Sequence, residues 1–258
     1  MLIQPLSNAQ VKHVNSLKIK KYRDQSGCFV AEGIKCISEL LERFQPQLLV
    51  LRPDSDMLHN NPFLSSFPVV VQASDKQFKQ LSSLVTPADC IAVFAQPTQS
   101  QEESHWQDRI VALDGIQDPG NLGTILRTCD WMGFHTVVCS RQTADCYAPK
   151  VVQATMGALA RVQVVYTDLP DTLQALRQQD FQILGTTLDG ENIYSSAALR
   201  NIDKAVIVMG NEGNGITPSV ARLLTCRLTI PAFAEQHVES LNVSIATAII
   251  LSEIQRNR

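Results

Sequence analysis

"RIVALDGIQDPGNLGTILRTCDWMGF", residues 109 to 134, decides the fold. Its opening "RIVALDGI" is a short apolar run of the kind that forms a buried strand. A Pro-Gly turn follows, and Asn121 is placed to cap a helix. Leu122, Ile125, Leu126 and Cys129 then recur at helical spacing as one apolar stripe, and Gly133 supplies a stop. Strand, tight turn and amphipathic helix make the building block of an α/β sheet. Further runs repeat the pattern: "HTVVCS", "RVQVVY", "FQILGTTL" and "AVIVMG", with helical stretches between them. Such alternation predicts a mostly parallel sheet with helices on its faces.

Upstream, helix signals at "NAQVKHVNSLKIKK" and "GIKCISELLERF" precede strand-like "QLLVLR", "FPVVVQA" and "CIAVFAQ". The polar, acidic "PTQSQEESHWQD" divides the two patterned regions. The expected organisation is a smaller α/β domain over 1–97, a linker over 98–107 and a second domain over 108–258.

Composition sets the limits. The 258 residues are 45% hydrophobic and 18% charged, an ordinary globular balance. "MLIQPLSNAQ" lacks the basic and apolar regions of a signal peptide, and "IATAIIL" is too short to span a bilayer. The seven cysteines form no CxxC pair, so they read as buried free thiols in a reducing cytoplasm. A net charge of −3 argues against simple basic adhesion to nucleic acid, but the charge is uneven. The first 97 residues carry ten basic and eight acidic groups. Lys18, Lys20, Lys21 and Arg23 concentrate around Tyr22, either as a phosphate-contacting patch or as a solvated basic face.

Three stretches of the second region could carry chemistry. In the first, Arg127 points away from the apolar stripe, sharing its face with Thr124, Thr128 and Trp131. A tryptophan there suggests that the face meets a ligand, a subunit or a nucleobase. The glycines fit neither a GxGxxG nor a P-loop pattern. The second, "AVIVMGNEGNGI" over 205–216, is a buried strand entering a glycine-rich loop. Gly210 permits close approach, and Glu212 lies where open α/β sheets bind ligands. The third, "LTIPAFAEQHVESLNVSIATAIILSEIQRNR" over 228–258, holds a helix that is apolar all round from Leu241 to Ile254 and predicts burial on most sides. Ser240 and Asn242 fall at its N-terminal end, as simple caps or as part of a polar-ligand site. A Ser-His reading of "QHVES" lacks both a nucleophile elbow and a third orienting group.

Together, "DPGNLGTILRT", "GNEGNGI" and "IP…ESLNVSIATAIILSE" resemble the three motifs of the SpoU/TrmH family of RNA ribose 2′-O-methyltransferases, within the SPOUT superfamily. The resemblance covers roughly residues 108 to 256. The N-terminal "SNAQVKHVNSLKIKKYRDQSGCFVAEGIKCISELL" is similar, more loosely, to the ribosomal-protein-like substrate-binding domain fused in front of such enzymes. The resemblance implies a C-terminal trefoil knot, a departure from the general rule of unknotted chains. It also implies a homodimer with its active site at the subunit interface, and methyl transfer from S-adenosylmethionine to an RNA ribose 2′-hydroxyl without a metal. Ribosomal RNA is the favoured substrate, with transfer RNA open, and a non-catalytic RNA-binding assembly factor is the alternative on the same fold.

By the same resemblance, Arg127 is the residue that activates the hydroxyl. Because a guanidinium essentially never loses its proton, gripping phosphate and stabilising alkoxide charge is the larger expected effect. Asn121, Glu212, Ser240 and Asn242 match the remaining polar active-site positions. Gly210, Ile230 and Leu241 are the expected cofactor-binding positions, with Thr187 a neighbour. One departure stands out: the family commonly has a short, glycine-containing link between "IP" and "ESLN", whereas this chain has the longer "AFAEQHV".

Overall fold

The computed structural model describes residues 3–55, 62–97, 106–200, 202–236 and 238–257. Residues 98–105 of the expected linker and His237 of "QHVES" lie outside them. The chain forms two compact units, 1–101 with 145–160, and 102–144 with 161–258. The first boundary falls inside the expected linker, and residues 145–160 in addition belong with the first unit.

The first unit opens with β1 (Gln4–Pro5), α1 (Asn8–Ser16), α2 (Lys20–Ser26), β2 (Cys28–Glu32) and α3 (Ile34–Leu40). β3 (Pro46–Leu51), β4 (Val70–Gln72), α4 (Asp75–Leu81) and β5 (Cys90–Ala95) complete its first run of chain. Its mixed sheet runs β1-β4-β3-β5-β2, with β2 and β3 antiparallel to β5. The helix expected over "NAQVKHVNSLKIKK" is two helices, broken around Leu17 and Ile19. Reciprocal Ser-Gln bonds cap α1 and α4, from Ser7 with Gln10 and from Ser74 with Gln77. Gly27, at φ +61°, ends α2 in the left-handed region that suits glycine, and β2 begins at once. Val14, Leu17, Val50, Phe78 and Ile91 centre the unit's core.

The second unit begins with β6 (Arg109–Asp114), α5 (Pro119–Met132) and β7 (Thr136–Ser140). The chain then forms α6 (Pro149–Thr155), which packs on β2 within the first unit. β8 (Gln163–Thr167), α7 (Leu169–Arg177), β9 (Gln182–Asn192) and β10 (Ala205–Gly210) follow. α8 (Pro218–Ala221), β11 (Cys226–Thr229) and α9 (Val243–Arg256) end the unit. Its six strands, in the order β11-β9-β10-β6-β7-β8, are all parallel. Ile110, Ala112, Val206 and Val208 pack with Leu173, Leu176 and Val220 on one face. α5 and α9 pack against each other.

α9 is buried on most sides, as its all-round apolar sequence predicts. Val243, Thr247, Ile250, Leu251 and Ile254 are buried, but Ile245 is 52% exposed. α5 and β10 cover the buried side and leave one strip of the helix to solvent. Among the described residues, no helix is long and apolar enough to cross a membrane.

The strand order positions the site. From β6 the chain leads to β7 on one side, whereas from β10 it leads to β11 on the other. The carboxyl ends of β6 and β10 therefore flank a topological switch point, where open α/β sheets form a ligand crevice.

Candidate active site

β6 and β10 end in register, Asp114 opposite Gly210. Their outgoing loops are bonded to each other. Asn211 Nδ2 donates to the Gly115 carbonyl at 2.7 Å, and the buried Asp114 accepts from Thr217 N at 2.7 Å. Asn211 Oδ1 also accepts from Gly213 N and Asn214 N, at 2.9 and 3.0 Å. Paired backbone bonds between Asn211 and Gly215 close the loop. A Cβ on Gly210 would stand 2.4 Å from the Gly215 carbonyl carbon, so this approach requires glycine.

Asn121 is not the cap of α5. Asp118 holds that position, its Oδ1 accepting from Asn121 N at 2.8 Å. This frees the Asn121 side chain to bridge two other loops. Its Nδ2 donates to Glu212 Oε1 at 2.8 Å, and its Oδ1 accepts from Asn242 Nδ2 at 3.0 Å. Asn242 in turn caps α9, its Oδ1 accepting from Ser244 N at 2.9 Å and Ser244 Oγ at 2.6 Å. One hydrogen-bonded chain thus joins all three stretches singled out in the sequence.

Arg127 lies two turns along α5 on its exposed face, with Thr124 and the 87% exposed Trp131. Among the described residues it has neither a hydrogen bond nor an ion pair, so its donors remain available to a ligand. Ser240 is also exposed, and no hydrogen bond ties it to the Asn121 chain.

Two of the expected cofactor positions leave loop backbone free. Thr187 Oγ1 is sealed from solvent, and its hydrogen bond to the Asp189 carboxylate holds that group below its ordinary pKa. Ile230, half-buried, directly follows β11, and Leu241, 47% exposed, directly precedes Asn242. Neither makes a backbone–backbone hydrogen bond among the described residues. Free loop backbone of this kind suits a polar ligand such as a nucleoside.

The basic run near the N-terminus divides. Arg23 is a correction: only 3% exposed, it donates through Nε and Nη2 to Asp145 Oδ2 and through Nη1 to the Leu17 carbonyl. A guanidinium so enclosed cannot reach phosphate. Lys18 Nζ donates to the carbonyls of Gln80 and Ser82, and partial burial lowers its pKa against the opposing pull of Glu32. Lys20 pairs with Asp24 at 3.1 Å in solvent, and Lys21 is exposed.

The sequence reading missed Asp114, Asp118 and Asn211. Each had a signal: a carboxylate ending an apolar strand, an Asp before Pro-Gly, and an Asn after a strand with glycine two residues on.

The profile of the SpoU rRNA Methylase family matches residues 108–252. The chain belongs to this family of methyltransferases. Residues 8–92 also match the MRM3-like substrate binding domain. The 23S rRNA (guanosine(2553)-2′-O)-methyltransferase RlmP of Bacillus subtilis is 27% identical over 98% of both chains. A solved structure from Porphyromonas gingivalis, assigned to the TrmH family of RNA methyltransferases, is 40% identical. It covers 98% of this chain and 99% of its own, with a TM-score of 0.85. An AdoMet-bound rRNA methyltransferase from Sinorhizobium meliloti is 28% identical, covering 98% of this chain and 97% of its own, also with a TM-score of 0.85.

Proposed function

We propose that this chain transfers the methyl group of S-adenosylmethionine to a ribose 2′-hydroxyl of RNA, with ribosomal RNA as substrate. The observation that carries the reading is the bond chain Glu212–Asn121–Asn242, with Arg127 unpaired on the same helix as Asn121. The resemblance to the Bacillus subtilis enzyme supports the choice of ribosomal RNA.

S-adenosylmethionine supplies an electrophilic methyl group. Thr187 Oγ1, the free backbone of Ile230 and Leu241, and the Gly210 turn would hold the nucleoside. Asn121 fixes Glu212 through one carboxylate oxygen, leaving the other to take the 2′-hydroxyl proton as the oxygen–methyl bond forms. Arg127 keeps its charge, grips the adjoining phosphate and stabilises the developing alkoxide. Ser240 joins the site on binding. Lys20 and Lys21 add phosphate contacts. We place the active unit as a homodimer, which covers the exposed Trp131 and Ile245, and the C-terminal segment as the family's knot.

The test is incorporation of labelled methyl into RNA, with 2′-O-methylnucleosides identified after digestion. Arg127→Ala should lose at least about 100-fold in kcat, as for removal of one oxyanion donor, and keep cofactor affinity. Full transfer by Arg127→Ala would remove Arg127 from the mechanism.

A further inference from the structure

Two exposed rings stand at the carboxyl edge of the parallel sheet. Phe233 is 85% exposed and Tyr194 44% exposed, with centroids 6.2 Å apart and planes tilted by 32°. Phe233 lies in the link that distinguishes this chain, between the end of β11 and Asn242 of the bond chain. Tyr194 follows the end of β9 on an anchored turn. Asn192 Oδ1 accepts from Tyr194 N at 2.9 Å, and the buried Ile193 donates from its backbone to the Thr229 carbonyl at 3.0 Å.

A phenylalanine left almost wholly in water has a large apolar face without protein cover. Its surroundings limit what can cover that face. Glu235 in the link and Glu239 just after it, both exposed, repel phosphate. An RNA contact here therefore uses a base rather than the backbone. At a centroid spacing of 6.2 Å the rings are too close to admit a base between them, leaving their outer faces for stacking.

We propose that Phe233, backed by Tyr194, is a stacking platform for an unpaired nucleobase beside the target ribose. This rests on the RNA methyltransferase reading. Stacking on an aromatic side chain tolerates any base, because every base has a π-face, but it requires RNA that is locally unstacked. The platform thus selects single-stranded or looped sites, while phosphate contacts lie elsewhere on the chain.

The experiment uses the full chain and an unmodified large-subunit ribosomal RNA transcript. Phe233→Ala should raise KM and Kd for RNA by about 5- to 100-fold, with kcat changed by less than about 3-fold and KM for S-adenosylmethionine unchanged. Phe233→Trp should restore affinity, and RNA should quench the added indole fluorescence relative to wild type. Phe233→Leu should not restore it. Full rescue by Phe233→Leu would show that the ring merely packs. A raised cofactor KM would make it a cover for the cofactor, and a changed sedimentation coefficient would place it in a subunit interface. Each of these overturns the platform. An unchanged RNA KM in an active enzyme overturns the platform alone, whereas a wild-type chain that neither binds nor methylates RNA overturns both readings.

Discussion

Asn121→Asp tests the site most directly. It replaces the amide that donates to Glu212 Oε1 at 2.8 Å with a second carboxylate oxygen, and keeps an acceptor for Asn242 Nδ2. The backbone bond from residue 121 to Asp118 is untouched, so α5 should still start where it does. Two costs combine. Losing a hydrogen bond to an ionised partner costs about 1.5–3 kcal/mol. Two carboxylates relaxed to about 4 Å repel by roughly 1 kcal/mol in water and roughly 4 kcal/mol near a protein surface. Glu212 is exposed and Asn121 half-buried, so the lower part of each range applies, about 2.5–4 kcal/mol together. Expressed wholly in the transition state, that is a loss of roughly 70- to 1,000-fold in kcat. The assay is steady-state methyl transfer, with thermal unfolding as the control for folding. Adding Glu212→Gln should reverse the effect, because the introduced amide can donate to the introduced carboxylate. Activity should return to within about 10-fold of Glu212→Gln alone, a coupling of at least about 1 kcal/mol. If Asn121→Asp kept a third of wild-type activity, or the two substitutions were simply additive, the bond chain would not organise catalysis.

Three further perturbations separate structure from chemistry. Arg23→Ala leaves Asp145 without its 2.6 Å partner and should destabilise the chain by about 3–5 kcal/mol in denaturant titration, while Lys21→Ala should cost under about 0.5 kcal/mol. Equal effects would refute the buried-pair assignment. Gly210→Ala drives a methyl into the backbone of Gly215 and Ile216 at 2.4–2.5 Å; cofactor binding by calorimetry should be lost, and retention at near wild-type affinity would show that this loop is not part of the cofactor site. Burial pushes the Cys36 thiol up to about 11 and Cys90 to about 12. Such raised values favour the fold below the ordinary thiol range and lose that contribution as pH rises through it, so alkaline unfolding should begin above about pH 9. At pH 8 a thiol reagent should modify Cys28 and Cys226, both half-buried, well before the five buried cysteines; early modification of Cys36 or Cys90 would contradict their burial.

Much of the second unit was legible because its signals are local. Buried parallel strands are continuous apolar runs, and "RIVALD", "TVVCS" and "AVIVMG" could hardly be anything else. The direction of Arg127 followed from helical periodicity alone. Weak or short elements were missed: the edge strand "CRLT", and "CFVAE", which starts directly after a helix-ending glycine. From sequence Asn121 reads both as a cap and as a site residue, because the two roles use the same polar types, and only the position of Asp118 one turn earlier separates them.

Sequence by itself determined the α/β class, the family motifs and the outward face of α5. It could not determine where polar side chains meet, because hydrogen bonds across 91 and 121 residues of chain depend on which loops the sheet order brings together. Tertiary structure decided that Arg23 turns inward to Asp145, that residues 145–160 pack with the first unit, and that Asn121 bridges Glu212 to Asn242. Burial and partner choice are set by the enclosing neighbours, and no local pattern encodes those.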